Sequence, residues 1–192
     1  MLSRPLNGYL YRTPDLLRDL LLLDILELTG STTAAARALS LSQPTVSRRY
    51  RTLARDLGLV RQPRQQPGRR YGDSICLRLL RKGMTLHRWQ AGVLRIGGRP
   101  EHAQRVAGYS WLHWVGLQGK TLRAAPELIR QDLLDGLLLT QQEHAELQRF
   151  PAPSKQLGDG LVLVCRSHPR IQPLLAKMEE FQQPSLYRFT RG

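Results

Sequence analysis

Several arginines follow one proline closely in the stretch SLSQPTVSRRYRTLARDLG, which spans residues 40–58. At about 100° per residue along a helix, one side collects Pro44, Arg48, Arg51 and Arg55. The opposite stripe is apolar and consists of Val46, Tyr50, Leu53 and Leu57. Guanidinium groups neutralise phosphates and read guanine by paired hydrogen bonds, and a helix fits the DNA major groove. The spacing therefore indicates a helix that packs through one face and presents positive charge to nucleic acid through the other.

The net charge of the chain supports a polyanionic partner. The 192 residues carry 29 Lys and Arg against 15 Asp and Glu, a formal charge of +14 with a pI near 10.9. Residues 31–90 hold thirteen basic and two acidic side chains, whereas residues 1–30 hold three basic and four acidic ones. Because the excess lies in one short segment, we expect that segment to bind double-stranded DNA.

Helix start and stop signals divide residues 13–58 into three helices. The expected caps and stops, in chain order, are Thr13 before a proline, Gly30, Ser31 and Ser42. Pro44 falls in the first turn of the third helix, where a missing N–H costs no helical hydrogen bond. The proline is therefore a start signal for the helix that carries the arginines.

A basic loop follows the third helix. Residues 59–72 contain two prolines, two glycines and four arginines without helical periodicity. Three helices followed by a basic loop predict a winged helix-turn-helix. The candidates to reach base edges or nearby phosphates lie near the start of the third helix: Gln43, Thr45, Ser47 and Arg48. Arg51 and Arg55 lie further along, and we expect them to contact phosphates or other protein groups.

The segment from Gly30 to Gly58 resembles the helix-turn-helix of LysR-type transcriptional regulators almost position by position. The matching positions are Gly30-Ser31, Ala35-Ala36, the turn Leu41-Ser42-Gln43-Pro44, and Ser47 with Arg48. The resemblance implies a set of DNA-contacting residues in the third helix and the wing: Gln43, Pro44, Ser47, Arg48, Arg64, Arg69 and Arg70.

A helix is predicted over residues 73–92, with a broad apolar seam that needs a partner. It looks like the family's linker helix, which pairs two subunits. The expected dimer contacts are Ile75, Leu79, Leu80, Met84 and Leu86.

Residues 93–192 alternate apolar strands with helices, which predicts a parallel or mixed sheet with helices on its faces. The expected strands are 93–98, 136–140 and 161–166, with 121–125 left open. The expected helices run over about 100–117, from Pro126 onward, and through Ile171 to Phe181.

By resemblance, this part looks like one half of the family's periplasmic-binding-protein-like effector domain. The predicted fold class is α+β multidomain: a winged helix-turn-helix (1–72), a linker helix (73–92) and a small, truncated α/β domain (93–192). About a hundred residues after the linker suffice for only one of the family's two effector subdomains. We therefore expect small-molecule sensing to be reduced or absent.

No residue pattern indicates catalysis, a metal site or a cofactor. The histidines show no HExxH or Cys/His spacing, and neither a phosphate-binding loop nor a Ser-His-Asp arrangement is evident. The two cysteines, Cys76 and Cys165, lie in apolar runs and are expected to be buried thiols. Asp135 is either a ligand-site residue or a junction carboxylate. The three tryptophans either stack on bases or pack in the core: Trp89, Trp111 and Trp114.

The apolar run LLLLDILEL is broken by Asp24 and Glu27 and is too short to span a bilayer. The first residues contain no apolar region of signal-peptide length, so we expect a cytoplasmic protein. The leading hypothesis is a sequence-specific transcription regulator that binds a partly symmetric site as a dimer. The alternative is an architectural DNA-binding protein that multimerises without effector control. The sequence also leaves open the possibility of a small-molecule pocket between subunits.

Overall fold

The computed structural model describes residues 17–147, 153–157 and 160–176. Its amino-terminal part contains three helices: α1 (Arg18–Thr29), α2 (Thr32–Leu39) and α3 (Gln43–Asp56). The loop 59–72 leads from α3 into the long helix α4 (Ile75–Gln90). The predicted start of the first helix at Thr13 lies outside the described residues.

The helix ends in the amino-terminal part are set by the residues that the sequence predicts. Gly30 ends α1 with φ at +73°. Glycine adopts this left-handed conformation readily because it has no Cβ atom to clash. The Oγ of Ser31 accepts the N–H of Ala34 at 3.1 Å and begins α2. The Oγ of Ser42 accepts the N–H of Thr45 at 3.3 Å and begins α3. These three predicted boundaries are confirmed.

A five-stranded mixed sheet forms the carboxy-terminal part. Its strands are β1 (Leu94–Gly98), β2 (Leu112–Gly116), β3 (Gly136–Thr140), β4 (Ser154–Leu157) and β5 (Leu161–Cys165). The strand order is β2-β1-β3-β5-β4. Strand β1 runs parallel to β2 and β3, and β5 runs antiparallel to β3 and β4. The predicted strands at 93–98, 136–140 and 161–166 and the mixed sheet are confirmed.

Short helices connect the strands. They are a 3₁₀ turn (Pro100–His102), α5 (Ala103–Val106), α6 (Gly119–Arg123), α7 (Ala125–Arg130) and α8 (Gln141–Glu146), and residues 172–176 are also helical. Most of the predicted last helix, including Phe181, lies outside the described residues.

One sequence prediction in this part is wrong, and one segment that the sequence left open is now assigned. The helix expected over 100–117 ends at Val106, because Gly108 interrupts it and the aromatic and β-branched residues of β2 favour a strand beside β1. The segment 121–125 is helical within α6 and α7. Strand β4 was not predicted, since its mostly polar sequence SKQL gives no apolar signal and only pairing with β5 makes it a strand.

The three amino-terminal helices and the sheet share one apolar core. One continuous cluster includes Leu23 and Leu26 of α1, Val46 of α3, and Leu137 and Val162 of the sheet. A second cluster covers the other sheet face and contains the side chains of the three tryptophans, Trp89, Trp111 and Trp114. The tryptophans therefore pack in the protein rather than standing free for bases.

Buried ion pairs join α1 to α4 and the sheet. The Nε of Arg81 donates to Oδ1 of Asp24 at 2.9 Å, and Nη1 of Arg95 donates to Oδ2 at 3.0 Å. Arg88 donates to both carboxylate oxygens of Asp135, at 3.0 and 2.9 Å. All five side chains are at most 1% exposed, and charges at this depth require partners. These pairs hold the helix-turn-helix in a fixed orientation on the sheet.

Candidate nucleic-acid interface

The first turn of α3 presents an ordered set of polar side chains. The Nε2 of Gln43 donates to the Oγ of Ser47 at 3.0 Å and to the Oγ1 of Thr32 at 3.2 Å. The hydroxyls of Ser42 and Thr45 lie 2.8 Å apart. Gln43 is exposed while Thr45 and Ser47 are half-buried, so this turn offers donors and acceptors that are already held in place.

Beyond the first turn, α3 separates apolar from cationic side chains as the sequence predicts. Val46 is buried in the core, and the cationic face carries exposed Arg48, Arg51 and Arg55. The Nε of Arg51 donates to the carbonyl oxygen of Ser47 at 3.3 Å. Within the described part of the chain, the guanidinium of Arg48 has no ion pair or hydrogen bond. That charge is available to a partner.

The wing is the loop of residues 59–72, and it contains turns but no strand. Its two legs meet where the N–H of Gln62 donates to the carbonyl oxygen of Arg70 at 2.7 Å. Gly72, with φ at +113°, allows a contact that a Cβ atom would block, because that atom would lie 2.6 Å from the Cβ of Leu59. The tip, residues 61–66, is exposed, and the stem, residues 67–72, is mostly buried.

A buried carboxylate from α1 holds the stem of the wing. One oxygen of Glu27 accepts the N–H groups of Gly68 and Arg70 at 2.9 and 3.2 Å, and the other accepts the N–H of Tyr71 at 2.6 Å. Burial raises the pKa of the Glu27 carboxyl, and these donors together with the charges of Arg81 and Arg70 oppose the rise. Glu27 thus satisfies three backbone donors of the wing at once.

The three predicted wing arginines occupy different environments. Arg64 is exposed at the tip. Arg69 is exposed but lies 3.4 Å from Glu127 of α7 and 4.0 Å from Asp73. Arg70 turns inward: its side chain is 19% exposed, its Nε lies 3.7 Å from Glu27, and its Nη2 donates to the Glu27 carbonyl oxygen. The predicted phosphate contact of Arg70 does not fit this placement, because its guanidinium already has an internal partner.

Helix α3 and the wing contact one another directly. The phenol of Tyr50 on α3 donates to the carbonyl oxygen of Tyr71 at 3.2 Å, and their rings meet edge to face at 5.3 Å. The guanidinium of Arg61 lies 5.3 Å from the centre of the Tyr71 ring. The stem of the wing is therefore fixed to α3 through the helix's apolar stripe, so the exposed cationic face of α3 and the exposed wing tip belong to one rigidly connected unit.

The apolar seam predicted on α4 is split between the interior and solvent. Met84 is buried and Leu80 half-buried against the first core cluster, and Leu86 packs on the second. Ile75 and Leu79 remain 70% and 68% exposed. The expectation that all five residues form a partner-facing seam is thus wrong for those that face the protein's own core. Of the five residues, Ile75 and Leu79 are exposed enough to face a partner.

The two cysteines also differ. Cys165 is buried and burial raises the pKa of its thiol, whereas Cys76 is exposed beside Ile75 on α4, contrary to the expectation of a buried thiol. The sequence around Cys76 is apolar, but the helix turns that position toward solvent.

Other candidate groups have structural surroundings. Asp135 lies in the buried ion pairs at the start of β3, and its carboxylate also accepts the N–H of Arg95 at 2.6 Å. The His168 ring stacks on Trp89 at 4.5 Å. Among the described residues, no group of three His, Cys, Asp or Glu side chains is arranged to hold a metal ion. No helix in the same residues is both long enough and apolar enough to cross a membrane.

An open cleft of about 520 Å³ lies beside the carboxyl ends of β1, β2 and β3. Its lining includes Arg99, Leu117, Arg123, Leu139 and Glu143. The Nε of Arg99 donates to Glu143, so two of the five charged side chains that line the cleft partly satisfy each other. The described residues form a single sheet, and nothing in them closes the open side of the cleft.

Residues 17–60 match the family model described as bacterial regulatory helix-turn-helix protein, lysR family. The matched segment contains α1, α2, the turn and α3, which are the elements that build the cationic face. These residues form a LysR-family helix-turn-helix. The resemblance seen in the sequence is therefore confirmed for this segment, and the winged helix-turn-helix with a mixed α/β sheet is the observed fold.

Solved structures similar to the chain are LysR-type regulators. HinK from Pseudomonas aeruginosa is 19% identical over 65% of this chain and 47% of its own, with a TM-score of 0.29. A full-length OxyR variant from the same species is 17% identical over 63% and 49%, with a TM-score of 0.35. LysG from Corynebacterium glutamicum, with bound effector Arg, is 22% identical over 66% and 50%, with a TM-score of 0.31. The chain spans about half the length of these structures. A search of curated proteins gave no match.

Sequence reasoning missed Glu27 as a residue of the site. The available signal was a carboxylate on a helix that is otherwise apolar around most of its circumference, and Asp24 gives the same signal. A buried charge of this kind indicates a partner elsewhere in the fold, but only the structure identifies the wing as that partner.

Proposed function

We propose that the protein is a DNA-binding transcription regulator that docks α3 in the major groove and sets the wing against the adjacent phosphates. The observation that carries this proposal is the exposed cationic face of α3, together with the exposed arginines at the tip of a wing that is hydrogen-bonded to the same helix. A LysR-family helix-turn-helix within residues 17–60 supports it. As a regulator of chromosomal genes, the protein acts in the cytoplasm.

Within this surface, we assign base reading to the start of α3. Arg48 is exposed and unpaired in the described chain, and Gln43 is held by its two side-chain hydrogen bonds. Arg48 suits bidentate reading of guanine. The two N–H groups of the Gln43 amide already bind Thr32 and Ser47, so its Oε1 is left to accept a hydrogen bond from a base amino group. Pro44, Thr45 and Ser47 shape the same turn. Phosphate contacts fall to Arg51 and Arg64, which are exposed but lie farther from that turn. Arg69 is exposed as well, but it must leave Glu127 and Asp73 to bind a phosphate.

A dimer places two such units on one duplex. Ile75 and Leu79 project from α4 next to exposed Cys76, and large apolar side chains at this exposure favour burial against a partner. We propose that α4 pairs with α4 of a second copy, so that residues 1–72 bind DNA, 73–92 dimerise and 93–192 form an α/β domain. An isologous contact of this kind matches a partly symmetric site.

We further propose that small-molecule sensing is reduced or absent. The cleft beside β1, β2 and β3 is open, and Arg99 and Glu143 pair across it. A ligand in this cleft would therefore meet an Arg99 and a Glu143 that already bind each other. Binding of one metabolite per chain in this cleft with micromolar affinity, measured by isothermal titration calorimetry, would contradict the proposal of reduced sensing.

Selection of duplexes from a random pool, followed by competition against random duplex, tests the proposal. A regulator is expected to prefer the selected site by about a thousandfold or more at physiological salt. A preference of only a few fold, with a steep salt dependence, supports an architectural DNA-binding protein instead. Absence of duplex binding at low salt contradicts both.

A further inference from the structure

We propose that Glu27 is the positioning residue of the wing, which sets the wing arginines at the distance from α3 that DNA phosphates require. This inference rests on the proposed DNA binding and deepens it. Glu27 belongs to α1 and is fully buried, so its carboxylate is not accessible to a duplex. It acts through the backbone of residues 68–71.

The hydrogen bonds of Glu27 decide where the stem of the wing lies. Three N–H groups, from Gly68, Arg70 and Tyr71, converge on its two carboxylate oxygens. Successive backbone N–H groups that enclose one anion form a concave site for negative charge. Gly68 and Tyr71 are buried, so their N–H groups have no water to replace Glu27. Without the carboxylate, the stem must move to satisfy them.

Two further contacts transmit this position to the DNA-facing surface. The hydrogen bond from Gln62 to Arg70 ties the stem to the leg that carries the tip. The hydrogen bond from Tyr50 to Tyr71 ties the same stem to α3. The distance between Arg48 on α3 and Arg64 at the tip therefore depends on residues that Glu27 holds. A wing that is held in advance loses less conformational entropy when it binds phosphate.

Groups facing the stem from other elements complete the clamp. The guanidinium of Arg70 covers the Glu27 carboxylate from outside, in space left by Gly30, whose added Cβ would lie 2.6 Å from Nη1 of Arg70. From α7, Glu127 approaches Arg69 at 3.4 Å, and Gln131 lies so close to Gly68 that a Cβ there would come within 2.3 Å of its Oε1. The stem thus has little freedom once Glu27 is in place.

The experiment is a double-mutant cycle on the full chain, read by duplex affinity across a salt series. Arg64→Ala in the parent is expected to lower affinity about fivefold on every sequence and to reduce the slope of log affinity against log salt by about 1. Glu27→Gln alone is expected to reduce the salt slope by the same amount. In the Glu27→Gln background, adding Arg64→Ala is then expected to change affinity by less than about twofold.

A control and a second variant separate positioning from stability. Asp135→Asn removes a buried carboxylate that pairs with Arg88 and holds no part of the wing; it is expected to lower thermal stability and leave the salt slope unchanged. If Glu27→Gln does not fold by circular dichroism, Gly68→Ala strains the same stem, because the φ of +104° at Gly68 disfavours a Cβ atom, and it is expected to lose the Arg64 contribution in the same way.

Amide hydrogen exchange distinguishes the failure of this inference from that of the proposed function. In free Glu27→Gln, the N–H groups of Gly68, Arg70 and Tyr71 are expected to exchange at least about tenfold faster, while amides of α3 keep their protection. The inference is overturned if folded Glu27→Gln, or Gly68→Ala, keeps the salt slope of the parent and still shows the full effect of Arg64→Ala. If the parent binds no duplex, the proposed function fails, and unchanged exchange at the three amides overturns the positioning role separately.

Discussion

Asp24 of α1 binds Arg81 of α4 through a 2.9 Å hydrogen bond in a site where both side chains are at most 1% exposed. The other oxygen of Asp24 binds Arg95 of β1. One carboxylate thus connects the helix-turn-helix, the long helix and the sheet. The orientation of α3 relative to α4 is therefore set inside the chain, and in the proposed dimer the pairing of α4 would set the spacing of the two α3 helices.

Asp24→Asn is expected to destabilise the fold by about 3–5 kcal/mol, because two buried guanidinium groups lose their charged partner. Urea unfolding followed by circular dichroism measures this loss. The exposed pair of Arg49 with Asp19 provides the control, and Asp19→Asn is expected to cost less than about 1 kcal/mol. Equal losses for the two variants would contradict the account.

Arg48→Ala is expected to relax base preference by about 1–3 kcal/mol at one position of the selected site while retaining binding to random duplex. Arg49→Ala is a matched control, since Arg49 is the next residue of α3 but pairs with Asp19. Quantitative competition with single-base variants of the site measures the preference. Losses of the same size on specific and random duplexes for Arg48→Ala would show that this side chain contacts phosphate only.

Arg70→Ala is expected to lower the free energy of unfolding by about 1–3 kcal/mol, because it removes a charged partner of buried Glu27. Arg64→Ala, at the exposed tip, is expected to change stability by less than about 0.5 kcal/mol. Thermal or urea unfolding of the two variants makes the comparison. An unchanged stability of Arg70→Ala would favour the phosphate contact that the sequence suggests.

Leu79→Glu is expected to shift the protein from dimer to monomer, because it places a charge in the exposed apolar face of α4. Analytical ultracentrifugation measures the mass, and affinity for a two-half-site duplex is expected to fall more than affinity for a half-site. Gln104→Glu on α5 is an exposed control with the same change in charge. A dimer that survives Leu79→Glu would place the interface elsewhere.

Acid is expected to destabilise the protein partly through His113 on β2. Burial, with the nearby charges of Arg95 and Arg88, lowers the pKa of His113 to about 3. Between pH 6.5 and about 3 the unfolded chain therefore takes up a proton that the folded chain does not, and stability falls as pH falls. Urea unfolding at pH 7 and pH 5 is expected to show a smaller loss for His113→Asn than for the parent. Equal losses would exclude His113 as a cause.

The parts of the fold that local chemistry determines could be predicted from the sequence. Ser31, Ser42 and Gly30 act within one turn of their own position, so caps and the two faces of α3 follow from residue spacing. Strand β4 and the inward turn of Arg70 depend on residues distant in the chain, namely β5 and Glu27. Periodicity on α4 identified an apolar seam but could not show that Met84 faces the same molecule while Leu79 faces solvent.

Hydrogen exchange of the full chain with and without a selected duplex tests the central claim most directly. If α3 and the wing form the DNA-binding surface, the duplex should slow exchange in residues 43–51 and 61–66, while β2 and α8 remain unchanged. Slower exchange confined to the sheet or its connecting helices, with no change in residues 43–51, would contradict the proposal.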